Sequence, residues 1–400
     1  MGIFGTILEF LNVSEHVVEK TAFLKELVII FLAIKVIGHI SKKFGQPSVF
    51  GKLLVGIILG PSILGILHTN EVLKELAEVG VIMLMFLAGL ETDVDEFKKS
   101  AVGSSLAAIG GVVLPLIAGW GMAVYYGYSW EKALFVGTIL VATSVSISVQ
   151  TLRELGKLQT PEGFTILGAA VIDDVLGLIV LSVVIGIALG GGASLTGLLI
   201  LFAKIAIFFV AGGFIGKIFF PKVLEFGSRV LVSEGVLTFA FILALSYAIG
   251  AEYFGMAGIV GAYLAGIMMS MTKFQHQLFE KVETVGYSFF VPIFFINIGL
   301  SADARGLTGN MLGFTVIITI LAILTKIIGA GLGAKLTGFN MKSSLGIGVG
   351  MVSRGEVALI VASIGLGSGL IGQEIFTSMV VMAIITTVVT PPLLKIVFKD

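Results

Sequence analysis

Cysteine is absent from the 400 residues of this sequence, and histidine occurs only four times, at scattered positions. Without cysteine the chain can form no disulfide, no thiolate metal site and no cysteine nucleophile. Four scattered histidines also argue against a histidine-rich metal centre. Metalloenzymes and thiol-dependent enzymes are therefore the first classes of protein that the sequence disfavours.

Charged residues are scarce as well: they make up 12% of the chain, whereas hydrophobic residues make up 57% and the mean hydropathy is +1.10. A soluble domain carries about 25% charged residues. The 25 basic and 25 acidic residues cancel, and the lack of a basic tract argues against nucleic-acid binding. With 53 glycines and only 8 prolines, the composition suits closely packed membrane helices. We therefore expect an all-α polytopic membrane protein.

Apolar runs long enough to cross a bilayer recur along the whole chain. A spanning helix needs about 20 mostly apolar residues. Polar and charged residues divide the chain into about thirteen such segments. They are predicted at residues 23–41, 48–67, 74–91, 102–127, 132–150, 161–189, 194–220, 233–251, 254–272, 286–302, 310–334, 343–367 and 371–396.

The basic residues outside these segments give the expected orientation. Lysine and arginine are about three times as frequent in the odd-numbered loops and the C-terminus as in the even-numbered loops and the N-terminus. Basic residues are retained on the cytoplasmic side. The sequence thus predicts a multi-pass protein of the plasma (inner) membrane, with its N-terminus outside and its C-terminus in the cytoplasm.

Two short patterns occur twice. Residues 86–93 resemble residues 295–303, and residues 55–60 resemble residues 260–266. Seven segments separate the members of each pair, so the two halves have opposite topology, as in transporters with inverted repeats and a site at the bilayer midplane. We expect one membrane domain over residues 1–400, with repeats at about 23–190 and 233–397 and a linking helix at about 194–220.

Charges inside the predicted segments mark the candidate site. Asp173 and Asp174 lie halfway along the sixth segment, and neighbours on a helix point about 100° apart. One can face a water-filled cavity while the other faces a partner helix. A carboxylate at this depth can exchange a proton for a cation, because burial favours the protonated form and a bound cation favours the ionised form. Lys326 in the eleventh segment is the natural counter-charge. The alternatives are a paired structural charge or a cap remnant for the acids, and a packing role for the lysine.

Two segments at equivalent places in the two halves are interrupted by polar residues. The fifth contains Thr143, Ser144 and further hydroxyls, and the twelfth contains Arg354 and Glu356. Paired interrupted helices indicate the site of a transporter, where unwound carbonyls coordinate cations. In the fifth segment the hydroxyls could instead bond back to the helix. Arg354 and Glu356 could form a structural ion pair that locks the broken helix, or could handle ions directly.

Three other lysines fall inside predicted segments, namely Lys35, Lys52 and Lys204. Long cationic side chains near helix ends commonly reach the lipid headgroups. Lys52 and Lys204 are close enough to segment ends for this, whereas the position of Lys35 is ambiguous; for all three the pattern favours a structural role.

Four stretches together resemble the monovalent cation:proton antiporter-2 family: residues 46–65, 85–93, 170–174 and 351–360. They occur in the family's order and span most of the chain. The sequence looks closest to the bacterial NapA-type and spore-germination-type Na⁺/H⁺ antiporters. This resemblance implies thirteen helices, an inverted-repeat antiporter fold with two crossed discontinuous helices, and a homodimer formed through a separate dimerisation domain.

The resemblance also implies roles for individual residues. Asp174 would carry the monovalent cation, and Asp173 would form a salt bridge with Lys326 when no ion is bound. Thr143 and Ser144 would line the site in the first broken helix. Two acids in place of one suggest electrogenic exchange of more than one proton per cation. The glutathione-gated relatives carry Gln-Asp and a nucleotide-binding domain. Asp-Asp and the lack of a GxGxxG-bearing extension here lead us to expect neither a nucleotide, nor a cofactor, nor a cytoplasmic regulatory domain.

Four functions compete on these observations. The first is secondary exchange of Na⁺ for H⁺ by alternating access, with Li⁺ and K⁺ left open, which makes the protein a transporter and not an enzyme. A channel would need a filter ring, and the inverted repeat argues against it. An intramembrane aspartyl protease needs two aspartates on different helices, which the adjacent Asp173 and Asp174 cannot supply. A structural or sensory protein could share every motif and would differ only in ion flux.

Overall fold

The computed structural model describes residues 15–44, 46–188, 195–301 and 309–399 and, within them, every side chain except those of residues 15–20, 195, 198, 310 and 356. Every regular element in these ranges is helical, which confirms the predicted all-α class. Eight helical stretches in the described part are long and apolar enough to cross a membrane: Ala101–Tyr125, Trp130–Glu154, Pro161–Ala188, Leu199–Arg229, Gly235–Tyr253, Gln275–Leu300, Met311–Leu336 and Gln373–Val397. Shorter apolar helices accompany them, and the count of thirteen spans stays a prediction.

The first half of the chain forms eight helices, namely α1 (Glu15–Lys43), α2 (Ser48–Leu59), α3 (Glu71–Leu90), α4 (Val94–Lys99), α5 (Ala101–Tyr125), α6 (Trp130–Val141), α7 (Val145–Glu154) and α8 (Pro161–Ala188). The second half forms α9 (Leu195–Arg229), α10 (Gly235–Tyr253), α11 (Gly258–Ser270), α12 (Gln275–Val285), α13 (Val291–Leu300), α14 (Gly309–Leu336), α15 (Met341–Gly350), α16 (Glu356–Gly367) and α17 (Gln373–Val397). A single π-helical turn, Gly286–Phe290, joins α12 to α13.

Several predicted segment ends differ from the helix ends in the structure, and two of them have a clear physical reason. The second segment was expected to reach residue 67, but α2 ends at Leu59 because Gly60 precedes Pro61 and adopts an extended backbone. The residue before a proline is biased away from the helical region. The linking segment was expected to end at residue 220, but α9 continues through Pro221 to Arg229. Its last turns carry exposed charged side chains, so an apolar window misses them.

Glycines set how closely the helices cross. α2 packs on α13 where Gly56 meets Gly299, and α3 packs on α11 where Gly89 meets Gly266. A Cβ atom at Gly299 would meet the carbonyl of the residue three before Gly56, the Cα of Gly56 and the following amide. A Cβ at Gly89 would meet the same three kinds of atom around Gly266. This match supports an inverted repeat. It makes Gly56 the counterpart of Gly266, whereas the sequence patterns align Gly266 with Gly60.

The two predicted interruptions are real breaks, and they cross each other. Residues 142–144 separate α6 from α7, and residues 351–355 separate α15 from α16. The Ser144 amide donates to the Ser353 carbonyl at 2.8 Å, and the Ser353 hydroxyl donates back to the Ser144 carbonyl. Ser148 donates to the carbonyl of Gly350 at 2.6 Å. The expected pair of crossed discontinuous helices is therefore confirmed.

Candidate ion site

An acid–lysine pair lies in the interior of the helix bundle. Asp173 is near the middle of α8, and Lys326 projects from α14. The Lys326 ammonium donates to Asp173 Oδ1 at 2.7 Å, and the two side chains are 0% and 1% exposed. Removing one partner of such a pair leaves an uncompensated buried charge, which costs about 3–5 kcal/mol. The structure thus brings together the two residues that the sequence analysis proposed as partners.

Glycine in α5 makes room for this lysine. α5 and α14 cross where Gly110 meets Gly329, and a Cβ at either position would run into the other's backbone. At the neighbouring Gly111 a Cβ would lie 3.4 Å from the Lys326 Nζ atom. Only the absence of side chains at these positions lets the two helices approach while the lysine passes between them to Asp173.

The adjoining broken helix contributes hydroxyls to this region. Thr143 makes a side-chain hydrogen bond with Asp173, and the buried hydroxyls of Ser144 and Ser146, at the break and in the first turn of α7, have no hydrogen-bond partner among the described groups. Asp174 is half-buried in the next position of α8. An unsatisfied buried polar group costs about 1–3 kcal/mol. The oxygens of this cluster are therefore suited to coordinate a cation, or to bind a proton together with water.

Arg354 is fully buried and contacts the backbone of the other broken helix. Its guanidinium donates to the Leu140 carbonyl at 2.8 and 3.2 Å and to the Val352 carbonyl at 2.8 Å. Leu140 lies in the last turn of α6, where carbonyls lack helical partners and the helix dipole is negative. Arg354 is thus a C-terminal cap for α6. The side chain of Glu356 lies outside the described residues, so its predicted pairing with Arg354 stays a prediction.

Two further hydroxyls hold the breaks in place. Ser148, one of the hydroxyls that mark the interruption of the fifth segment, binds the Gly350 carbonyl. The sequence analysis missed Thr387 in α17, which donates to the Arg354 carbonyl at 2.5 Å, because hydroxyls in apolar helices are frequent in this chain. The Leu140 carbonyl is a backbone group and carries no sequence signal at all.

A cavity of about 380 Å³ extends from Arg354 and Gly355 to the surface. Glu78 of α3 and Glu252 of α10 line it. It opens toward the helix ends that join the even-numbered loops, which the charge distribution predicts to be outside. Neither acid was singled out from the sequence, because an acidic residue near a helix end ordinarily belongs to a solvated face.

At the other end of α3, side chains of α7 bind neighbouring helices. Arg153 in the last turn of α7 binds Glu91, directly after α3, at 3.2 Å and Glu283 of α12 at 2.7 Å. The next residue, Glu154, accepts hydrogen bonds from the amide and hydroxyl of Ser48 in α2, both at 2.5 Å. We call these contacts of Arg153 and Glu154 the α7 latch. They join the broken-helix region to α2, α3 and α12 on the side away from the cavity.

The sequence profile described as Sodium/hydrogen exchanger, transmembrane, matches residues 27–400 of the chain. The chain belongs to this family. It is a multi-pass membrane transporter and not an enzyme.

Individual relatives align over nearly the full length. The chain is 45% identical to the Na⁺/H⁺-K⁺ antiporter GerN of Bacillus cereus, over 94% of this chain and 96% of GerN. It is 46% identical to the probable Na⁺/H⁺ antiporter GerT of the same organism, over 93% and 98% of the two chains. An Na⁺/H⁺ antiporter of Enterococcus hirae is 38% identical over 93% of this chain and 97% of its own.

A solved structure shares the fold. The sodium proton antiporter MjNhaP1 from Methanocaldococcus jannaschii superimposes with a TM-score of 0.63 over 95% of this chain and 98% of its own. The two sequences are only 17% identical, so this likeness supports the antiporter fold and nothing finer.

Proposed function

We propose that this family member exchanges a monovalent cation, in the first place Na⁺, for H⁺ across the cell membrane, with Asp173 and Asp174 as the shared site. The observation that carries the proposal is the buried Asp173–Lys326 pair, in which Asp173 is also hydrogen-bonded to Thr143 at the break of α6 and α7. The neighbouring Ser144 and Ser146 hydroxyls are buried without a partner among the described groups. Three relatives named as Na⁺/H⁺ antiporters support the choice of ions.

Coupling follows from competition for the same oxygens. Asp174 would hold the cation in its ionised form and release it on protonation, because one carboxylate cannot do both at once. Thr143 and Ser144 would add neutral oxygen ligands, which suit a hard cation that has lost its water. Lys326 would keep Asp173 ionised in the empty site and exchange that contact when a cation binds.

Alternating access requires that the site opens to one side at a time. The cavity reaches Arg354 from the side of the even-numbered loops, while the α7 latch joins the helices on the other side. We infer that this conformation faces outward and that the latch must open for the cation to reach the cytoplasm. The broken helices with α8 and α14 would move as one body against α2, α3 and α12.

Transport in liposomes tests the assignment. Purified protein is reconstituted under an imposed pH gradient with a pH-sensitive dye, and Na⁺, Li⁺, K⁺ or choline is added in turn. K⁺ belongs in the series because GerN is named for K⁺ as well as Na⁺. We expect dequenching with Na⁺ but not with choline.

Substitutions at the two acids make the assay specific. Asp174→Asn should abolish dequenching with a correctly folded protein, and Asp173→Asn should weaken it or change its stoichiometry. Asp95→Asn is the matched control, since Asp95 is an exposed acid of α4 that pairs with Lys98 at 3.4 Å. Full exchange by Asp174→Asn would contradict the site assignment. If the unmodified protein responds to no cation, the transport function itself is contradicted.

The quaternary arrangement is part of the same proposal. We expect a homodimer in the plasma membrane, N-terminus outside and C-terminus in the cytoplasm, with α1 as a contact helix and no bound nucleotide or cofactor. α1 carries a row of exposed apolar side chains: Leu24, Val28, Leu32, Val36 and Ile40. Native mass spectrometry tests the dimer, and impermeant labelling of cysteines placed at the two termini tests the orientation.

A further inference from the structure

A second cavity lies between the end of α1, the start of α2 and the π-helical turn. Its volume is about 240 Å³. Four basic side chains line it, Lys35, His39 and Lys42 from α1 and Lys52 from α2. Among the described residues around it, none is acidic; the others are Phe31, Ile34, Gly38, Ser48, Tyr287, Ser288 and Pro292. The transport site lies elsewhere and uses none of these residues.

Lys52 is the group that most needs a ligand. Its side chain is only 8% exposed, so it does not reach the membrane interface as its position in the sequence suggested, and in the described part of the chain it forms no ion pair or hydrogen bond. Its ammonium lies over the ring of Phe295, 5.7 Å from the centroid. Glu154 attracts it electrostatically, but the oxygens of that carboxylate accept hydrogen bonds from Ser48. Burying an ammonium that has no hydrogen-bond acceptor is costly, and an anion in the cavity would supply one.

The position of the cavity indicates where the anion comes from. Lys35, His39 and Lys42 follow one face of α1 toward its charged end at Lys42 and Lys43. Beside this face runs the exposed apolar row of α1 named above, which ends at Ile40. A phospholipid whose acyl chains lie in the bilayer beside the Ile40 end of that row could place its phosphate between the lysines, and the rest of the row is left for the proposed dimer contact. Basic pockets between membrane helices near the headgroup level are suited to anionic lipids.

We propose that this cavity binds the phosphate of an anionic phospholipid headgroup. Lys52 would contact the phosphate from inside the protein, and Lys35 and Lys42 would contact it from the membrane side. Ser48 and Tyr287 line the cavity and also touch the α7 latch, since Ser48 binds Glu154 and the Tyr287 ring lies 4.7 Å below the Arg153 guanidinium. The bound lipid would therefore contact residues that also contact the latch.

Lipid-dependent thermal stability of the purified full chain in detergent tests the site. Added phosphatidylglycerol should raise the unfolding midpoint, whereas phosphatidylcholine should not. The variant Lys35→Gln/Lys42→Gln should need about 30-fold more phosphatidylglycerol for the same shift, because each lysine near the membrane surface contributes about a fivefold factor. The matched control is Lys43→Gln/Lys98→Gln, which removes two exposed charges that do not line the cavity.

The outcomes separate the sources of phosphate and the roles of the lysines. An equal response of the cavity variant and the control would overturn the proposal, and so would an equal effect of phosphatidylcholine. Sodium phosphate that matches phosphatidylglycerol at the same concentration would assign the cavity to a soluble phosphate in place of a lipid. Lys52→Gln should lose the response as well; if it fails to fold, the two exposed lysines still decide. The measurement does not depend on whether the chain transports Na⁺.

Discussion

At the scale of single residues, the interior of this protein contains charges whose partners differ in kind. Lys326 is paired with a carboxylate, whereas Arg354 donates to the backbone carbonyls of Leu140 in α6 and Val352 in the second break. The first arrangement can change when a cation or proton binds, because one partner is titratable. The second cannot, because a carbonyl carries no proton. In the proposed function, Lys326 would therefore take part in the ion cycle, whereas Arg354 holds the geometry of the break.

The lysine pair gives a stability prediction. Lys326→Gln should destabilise the protein, by up to about 3–5 kcal/mol, because Asp173 is left buried without its counter-charge. The double variant Asp173→Asn/Lys326→Gln removes both charges and should regain most of that loss. Unfolding can be followed by the fluorescence of Trp120 and Trp130. A double variant as unstable as the single one would show that the pair is not the source of the loss.

The arginine gives a different prediction. Arg354→Lys keeps the charge but cannot make the three hydrogen bonds of the guanidinium, and a hydrogen bond to a charged group contributes about 1.5–3 kcal/mol. We expect lower thermal stability and weaker Na⁺-driven dequenching in liposomes. Arg229→Lys is the control, since Arg229 is an exposed residue at the end of α9. Wild-type stability in Arg354→Lys would contradict the capping role.

At the scale of elements, the helix pairs α2/α13 and α3/α11 cross through glycines with matching contacts. Inside a bilayer the hydrophobic effect does not drive helices together, so close van der Waals packing at small residues has to stabilise their association. The matching contacts also show why the two sequence patterns recur, since each pattern supplies one half of a crossing. Both crossings belong to the region against which the broken helices would move, so they should be rigid.

The crossings are tested by adding one methyl group. Gly299→Ala would place a Cβ 2.7 Å from the Cα of Gly56, while a Cβ at Gly121 of α5 would meet nothing within 4 Å. Overpacking costs about 1–3 kcal/mol, whereas Gly→Ala in an open helix position gains up to about 1 kcal/mol. Gly299→Ala should thus lower the unfolding midpoint and Gly121→Ala should keep or raise it. Equal midpoints would mean that the α2/α13 crossing adapts without cost.

At the scale of the whole molecule, the two ends of the bundle differ. One end has the cavity that reaches Arg354, and the other has the α7 latch. In the proposed alternating-access cycle, the latch between α7 and the region of α3 and α12 would favour the conformation described here over one that opens on the other side. Any ligand or substitution that weakens the latch should shift this balance by the same amount.

Loss of the latch can be followed with single cysteines, since the chain has none of its own. Arg153→Gln should raise the labelling of Thr151→Cys, a buried position in α7 whose hydroxyl bonds to the Ile147 carbonyl and not to the latch, and lower that of Ile298→Cys in the cavity. A hydrogen bond to a charged group contributes about 1.5–3 kcal/mol, so the shift should reach about tenfold. Arg229→Gln is the control. Unchanged labelling at both cysteines would remove the latch from the transport cycle.

The sequence by itself determined the class of protein, the positions of the two breaks and the acid pair. These follow from local composition: a chain this apolar has to span a membrane, and charges or hydroxyls at depth stand out against it. Asp173 and Lys326 could be matched because few charges compete as partners inside the bilayer.

Only the tertiary structure decided what these residues touch. Arg354 binds a carbonyl of α6, which no sequence pattern marks, and Gly56 corresponds to Gly266, since a crossing depends on backbone distance and not on the letters around it. The cavity, the latch and the lysine-lined pocket each join helices far apart in the chain. Such features arise from packing, where many sequence-compatible arrangements exist and only the assembled bundle selects one.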